Sequence, residues 1–172
     1  VGGMEASRGF LYQGFASVLE ALTNTDNWDK IYIEYPTSND KVDIALKKDD
    51  KIIKSIQVKS TINAFPKYDI QNWIRDLIED IDAPEYELYL IGQCEKSARI
   101  FMNSIDKFYN NTIDQAAKTS LAGFDTDLLK DKRMYFRLLP FDREQLEASI
   151  RDSLHEYISR RDHRMTFEQI KF

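Results

Sequence analysis

The chain has 172 residues, of which 42% are apolar and 31% charged, and its formal net charge is −5. This composition is typical of one globular domain with a substantial core, and it excludes collagen and low-complexity disorder. Cys94 is the single cysteine, so an internal disulfide is excluded and a cytoplasmic location is expected. The apolar runs are only a few residues long, and we therefore expect no membrane span.

The first predicted elements are a helix and three strands. The helix covers about residues 5–22, and its expected inward stripe consists of Leu11, Phe15, Val18 and Leu22. A more polar stripe lies beside it, formed by Phe10, Gln13, Ser17 and Glu20. Alternating patterns then predict strands at 30–35, 41–47 and 52–59, with a turn at 48–51.

The rest of the chain alternates helices and strands. Helices are predicted at 68–81, 95–108 and 142–160, with Asp142 as the N-cap of the last, and an interrupted helix at 114–130. Strands are predicted at 85–91 and 134–139. This order indicates an α/β fold, a mixed β-sheet flanked by helices, in a single domain spanning residues 1–172.

Polar side chains follow the same parity on three neighbouring predicted strands. If Lys48 pairs with Ile52, the same register places Asp43 opposite Gln57, and Lys59 shares the face of Gln57. Glu34 lies on the adjacent strand. We therefore expect an acid, an amide and a lysine to meet on one surface.

Such a set suits a divalent cation. Mg²⁺ prefers oxygen ligands, and the candidates are Asp43, the amide oxygen of Gln57, the carbonyl of Val58 and Glu34. Lys59 would orient or deprotonate water or stabilise charge on a phosphate, and a nearby cation would lower the pKa of Lys59. The pattern thus predicts metal-assisted phosphodiester hydrolysis, with Mn²⁺ as a substitute for Mg²⁺.

Two stretches carry a resemblance to a known family. The spacing from Val42-Asp43-Ile44-Ala45 to Ile56-Gln57-Val58-Lys59-Ser60, behind an N-terminal helix, resembles the PD-(D/E)xK (restriction-endonuclease-like) nuclease superfamily, with Gln57 in place of the usual acid. The run Arg8-Gly9-Phe10-Leu11-Tyr12-Gln13 is similar to the double-stranded-DNA endonuclease domain of CBASS effectors and of antiviral STAND NTPases. The core motifs lie within residues 8–60.

The resemblance implies a function, a residue set and partners. Asp43, Gln57 and Lys59 carry over as the catalytic core, with Glu34 as a fourth member, Gln13 as a helix residue that reaches the site and Asp40 as an extra candidate ligand. The implied activity is Mg²⁺-dependent cleavage of double-stranded DNA in bacterial anti-phage defence. The implied partners are further copies in a homodimer or larger oligomer and a sensor or NTPase region, with this chain as the N-terminal domain of a larger effector.

Other interpretations stay open at this point. The same fold could be a catalytically silent module that binds DNA or a partner, an RNA nuclease, or an assembly domain. Lysines 47, 48, 51 and 54 are expected at a solvated hairpin tip or on phosphates, and a basic cluster at 160–164 could contact DNA or merely end a helix. Trp73 is expected in the core.

Overall fold

The computed structural model describes residues 2–23 and 27–161, with side chains from residue 9 to residue 160. Five α-helices and five strands occur in this part of the chain. The helices are α1 (Gly2–Leu22), α2 (Lys67–Asp80), α3 (Lys96–Tyr109), α4 (Gln115–Leu121) and α5 (Arg143–Arg161). The strands are β1 (Lys30–Ile33), β2 (Ile44–Lys48), β3 (Lys51–Ser60), β4 (Glu85–Ile91) and β5 (Arg133–Leu139).

The five strands form one mixed sheet in the order β1-β2-β3-β4-β5. The pairs β1–β2 and β2–β3 are antiparallel, whereas β3–β4 and β4–β5 are parallel. Parallel neighbours need a crossover connection, which α2 provides between β3 and β4 and the α3–α4 segment provides between β4 and β5. The predicted α/β class, a mixed sheet flanked by helices, is confirmed.

Helices cover both faces of the sheet. The larger apolar cluster, which includes Ile74 of α2, Leu88 of β4 and Phe101 of α3, lies on the α2–α3 face. A smaller cluster joins Ala16 and Leu19 of α1 to Ile56 of β3 on the opposite face. Strand β3 therefore has one face against each layer, and its alternate side chains enter different environments.

The inward stripe predicted for α1 is wrong. Leu11 and Val18 are 43% and 44% exposed, whereas Ser17 and Glu20 of the predicted polar stripe are buried. The buried residues of the helix are instead Tyr12, Ala16, Ser17, Leu19 and Glu20. Glu20 can be buried because its ion pair with Lys54 offsets the cost of removing a carboxylate from water.

The β2–β3 hairpin reaches the predicted alignment by another route. Lys48 pairs with Lys51 rather than with Ile52, and the two-residue turn between them has positive φ angles at Asp49 and Asp50. A bulge beside Leu46 then takes up one residue, so that Ile44 pairs with Ile56. The ladder begins at this pair, and Asp43 N instead donates to the carbonyl of Ile56 at 3.0 Å, so the predicted pairing of Asp43 with Gln57 is not part of the ladder.

The later elements lie close to their predicted ranges. The interrupted helix is α4 followed by a 3₁₀ turn at Thr126–Leu129, and Asp142 accepts a hydrogen bond from the backbone N of Gln145 at 3.0 Å, as expected of an N-cap. None of the helices in residues 2–23 and 27–161 combines the length and the apolar character needed to cross a membrane.

Candidate active site

Asp43 lies directly before β2, at the point beyond which β3 has no β2 residues beside it. Strand β2 starts at Ile44, but β3 extends to Ser60, which leaves the last β3 backbone groups on that side without a β2 partner. The carboxylate of Asp43 replaces the missing strand: Oδ2 accepts a hydrogen bond from Val58 N at 2.6 Å. Its other oxygen, Oδ1, accepts one from Gln13 Nε2 of α1 at 2.7 Å. The sequence-predicted residues 13, 43 and 58 are therefore in direct contact.

The surroundings of Asp43 disfavour its charged form. Burial raises the pKa of this carboxyl above its ordinary value, and the nearby charge of Glu34 raises it further. The hydrogen bonds from Val58 and Gln13 and the charge of Lys59 act in the opposite direction without cancelling the effect of burial. An added cation beside Asp43 would therefore be favourable.

Gln57 presents a buried oxygen that lacks a donor. Its side chain is 2% exposed, and Oε1 accepts no hydrogen bond from the described residues. A buried acceptor without a partner costs about 1–3 kcal/mol, so a group that satisfied it would be bound favourably. The N–H of Val58 points towards Asp43, and the carbonyl of the same residue points to the same side of the strand.

Glu34 stands beside Asp43 but is exposed. Strand β1 ends at Ile33, and the backbone N of Glu34 donates to the carbonyl of Asp43 at 2.6 Å. Glu34 has a positive φ of 52°, a backbone conformation that turns the chain away from the strand direction. Its carboxylate acts on Asp43 from the solvent side.

Lys59 completes the arrangement. Burial lowers the pKa of its amine, and the charge of Lys41 lowers it further, while Asp43 and Asp76 oppose the shift. Its Nζ lies 5.5 Å from the ring centroid of Trp73 on α2, a cation–π contact. Trp73, expected in the core, is only partly buried and forms one wall of this region.

The loop before Asp43 is held by Asp80, a residue the sequence analysis did not single out. Asp80 accepts hydrogen bonds from the Thr37 hydroxyl, from Asn39 N at 2.9 Å and from Lys41 N at 2.8 Å. Although burial opposes the shift, these bonds lower the pKa of the Asp80 carboxyl. The available signal was an acid at the end of a helix, where the helix dipole disfavours negative charge. Asp40, the extra candidate ligand, is exposed with a φ of 52° on this loop.

A buried ionic network on the opposite face of β3 was also missed. Lys54 Nζ lies 2.7 Å from Glu20 Oε1 and 2.5 Å from Glu87 Oε2. Tyr89 donates its hydroxyl to Glu20 at 2.8 Å, and Arg137 Nε lies 3.2 Å from Glu87. We call these five residues the Lys54 network. The expectation that Lys54 belongs to a solvated or phosphate-binding tip is wrong, because Lys54 is 7% exposed and paired with two carboxylates.

In the part of the chain that the structure describes, the other basic residues singled out from the sequence form no second site. Lys48 and Lys51 are exposed at the tip, and Lys47 lies 5.1 Å from the ring centroids of Tyr32 and Tyr35. Arg160 pairs with Glu156 at 3.3 Å, and residues 162–164 of the predicted basic cluster lie outside the described residues. The side chain of Arg8 lies outside them as well.

The described residues contain no group of three or more histidine, cysteine, aspartate or glutamate side chains arranged for a metal ion. The predicted ligand set contains only two carboxylates, those of Asp43 and Glu34. Its other members are an amide oxygen and a backbone carbonyl. The chain matches no family model, no curated protein and no solved structure.

Proposed function

We propose that the chain is a divalent-metal-dependent endonuclease that hydrolyses phosphodiester bonds in double-stranded DNA. One observation carries the proposal: a half-buried carboxylate with a raised pKa, Asp43, interacts with an amine with a lowered pKa, Lys59. Perturbed acid–base pairs of this kind are typical of catalytic sites. Gln57 Oε1, which accepts no hydrogen bond from the described residues, lies on β3 two residues before Lys59 and supports the same interpretation.

The residues would hold a cation through oxygen. Each carboxylate oxygen of Asp43 accepts one hydrogen bond and keeps capacity for another contact. Gln57 Oε1 and the Val58 carbonyl would add neutral ligands, and Glu34 would add a charged one from the solvent side. Bound Mg²⁺ would supply charge stabilisation on the phosphate and activation of water.

The protein's own groups would do the rest. Lys59 as an ammonium donates hydrogen bonds to a non-bridging phosphate oxygen, and as a neutral amine it accepts a proton from the attacking water. The lowered pKa of Lys59 makes both forms accessible at a milder pH than for an exposed lysine. Gln13 fixes Oδ1 of Asp43 and so keeps the carboxylate oriented.

The remaining features of the proposal do not rest on the contacts of the site. Cleavage of both strands needs two sites, so the working form is proposed to be a homodimer or larger oligomer. A sensor or NTPase region would activate it, in anti-phage defence in the cytoplasm. Mn²⁺ is proposed to replace Mg²⁺.

Plasmid degradation tests the proposal. We expect cleavage in Mg²⁺ or Mn²⁺ that stops with a chelator and falls at least about 100-fold in Asp43→Asn and Lys59→Met, the scale on which one catalytic group acts. Lys51→Met, at the exposed hairpin tip, is the matched control and should cleave normally. Equal inactivity of all four proteins at high concentration would contradict the proposal, and preferential RNA cleavage would assign the site to RNA.

A silent binding module is the second candidate. It is favoured by the charge of the site, where Gln13 and Gln57 are amides and only Asp43 and Glu34 can be anionic. Such a module would bind duplex DNA with the same affinity with and without Mg²⁺, whereas the nuclease should respond to the metal.

A further inference from the structure

A cavity of about 380 Å³ opens next to Lys59, and Asp43 is not among the residues that line it. It lies at the carboxyl end of β3, between the chain that follows this strand and the first turns of α2. Its walls include Lys59, Thr61, Asn63, Phe65, Asp69 and Trp73. Open α/β sheets commonly bind ligands outside the carboxyl ends of their parallel strands, and the volume is at the lower end of the range for small-molecule sites, about 300–1,000 Å³.

The cavity walls are fixed by backbone contacts. Phe65 N donates to Gln93 O at 2.8 Å, and Glu95 N donates to Phe65 O at 3.0 Å. Gly92, with a φ of 143°, lies so close to the chain after β3 that a Cβ there would come within 2.5 Å of Thr61 O. The two loops therefore hold one another, and the cavity is preorganised rather than formed by a loose segment.

The chemistry of the walls matches a planar heterocycle. Trp73 contributes an indole ring, which forms a T-shaped pair with Phe65 at a centroid distance of 5.5 Å and has Lys59 Nζ 5.5 Å from its centroid. The side chains of Asn63 and Asp69 make no hydrogen bond or ion pair with the described part of the chain, so their donor and acceptor atoms are available. Nucleic-acid enzymes hold an extruded base by stacking and by hydrogen bonds to its edge.

A phosphate fits this cavity poorly. Asp69 would repel an anion, and Lys59 is the one cation among the described residues of the wall. Two large side chains flank the cavity in sequence, Ile62 at 79% and Tyr68 at 70% exposure. Exposed apolar side chains of this kind can contact or separate neighbouring bases.

We infer that this cavity binds a nucleobase, supplied by an unpaired or extruded nucleotide of the DNA whose phosphate lies at Asp43 and Lys59. The part of this inference that takes the base from bound DNA rests on the proposed function. The shared chemistry, a nucleobase against Trp73 with its edge on Asn63 and Asp69, does not depend on it. A free nucleotide would present the same base, and the test separates the two sources.

Binding of defined DNA, without divalent metal so that nothing is cleaved, tests the inference. The protein is the full chain with Trp28→Phe, in which Trp73 is the one remaining tryptophan. Its probes are a duplex with a one-nucleotide adenine bulge, the same duplex with an abasic bulge, and free adenosine monophosphate. We expect the base-containing bulge to quench Trp73 fluorescence and to bind about 5- to 150-fold more tightly than the abasic one, since stacking contributes about 1–3 kcal/mol per base.

In Asn63→Ala and Asp69→Ala we expect the discrimination between the two bulged duplexes to be lost, whereas Lys51→Met, at the exposed hairpin tip, is the control and should keep it. Quenching by adenosine monophosphate alone would assign the base to a free nucleotide. Equal binding of both bulged duplexes, or no binding by any probe, would overturn the inference. Discrimination in this experiment, combined with no plasmid cleavage by the wild-type chain in Mg²⁺ or Mn²⁺, would instead overturn the proposed nuclease and leave the nucleobase site standing.

Discussion

Strand β3 carries two lysines with opposite chemistry. Although burial opposes the shift, the carboxylates of Glu87 and Glu20 raise the pKa of Lys54, whereas burial lowers the pKa of Lys59. The Lys54 network gives its lysine two close carboxylates, whereas the described residues give Lys59 no carboxylate within ion-pair distance. The comparison teaches that burial alone does not mark a functional site. A buried lysine that is paired with carboxylates, such as Lys54, stabilises the fold. A buried lysine without such a pair, such as Lys59, can bind a ligand or transfer a proton.

Of the substitutions that test this comparison, Lys54→Met is expected to change the free energy of unfolding most. The substitution leaves two carboxylates buried near one another without their shared cation, and we expect the free energy of unfolding to fall by about 3–5 kcal/mol. Urea unfolding followed by circular dichroism measures it. Lys51→Met, on the exposed tip, should change stability by no more than about 0.5 kcal/mol. Equal effects of the two substitutions would show that the network does not stabilise the fold.

Gln57→Met is the matched substitution on the other face of β3. It replaces an amide whose buried oxygen lacks a donor by an apolar side chain of similar length, so we expect stability to rise by about 1 kcal/mol. Metal-dependent cleavage should be lost at the same time. A loss of stability of similar size would instead show that Oε1 is satisfied in solution, for example by water.

The titration of the two lysines gives the smallest effect. Because the folded-state pKa of Lys59 is lowered, its contribution to stability becomes more favourable as pH rises through that value towards the ordinary lysine pKa. Because the folded-state pKa of Lys54 is raised, its contribution is present below the ordinary pKa and is lost as pH rises through the folded value. Carbon-13 NMR of labelled lysines should resolve the two midpoints in this order.

A second variant sharpens the same measurement. Asp43 raises the pKa of Lys59, so Asp43→Asn should move the Lys59 midpoint to still lower pH and leave that of Lys54 unchanged. An unchanged Lys59 midpoint would mean that the carboxylate and the amine do not interact.

The sheet and the central contacts of the site were accessible from sequence. Alternation along 41–47 and 52–59 predicts the observed pairing of Ile44 with Ile56, and the reach of Gln13 that the resemblance implied corresponds to a hydrogen bond of 2.7 Å to Asp43. The observed pairing nevertheless results from a turn one residue shorter than predicted and a bulge beside Leu46 that compensates for it. The alternation of apolar residues does not indicate this bulge. The roles of these residues in catalysis stay predictions.

What sequence reasoning missed depends on partners distant in the chain. Periodicity ranks Glu20 as a surface residue, because its burial requires Lys54, 34 residues away. In the same way Asp80 is unremarkable until the loop at 37–41 folds back onto it. Single-sequence patterns report local preference, and these contacts are set by tertiary packing.

The bulge beside Leu46 has a practical consequence for engineering. The bulge takes up a one-residue difference between the turn and the pairs nearer Asp43. A change of length at the turn therefore need not alter the backbone around Asp43. A short tag or a spectroscopic label introduced between Asp49 and Asp50 should therefore leave the geometry around Asp43 undisturbed, which makes the turn a suitable point for surface attachment.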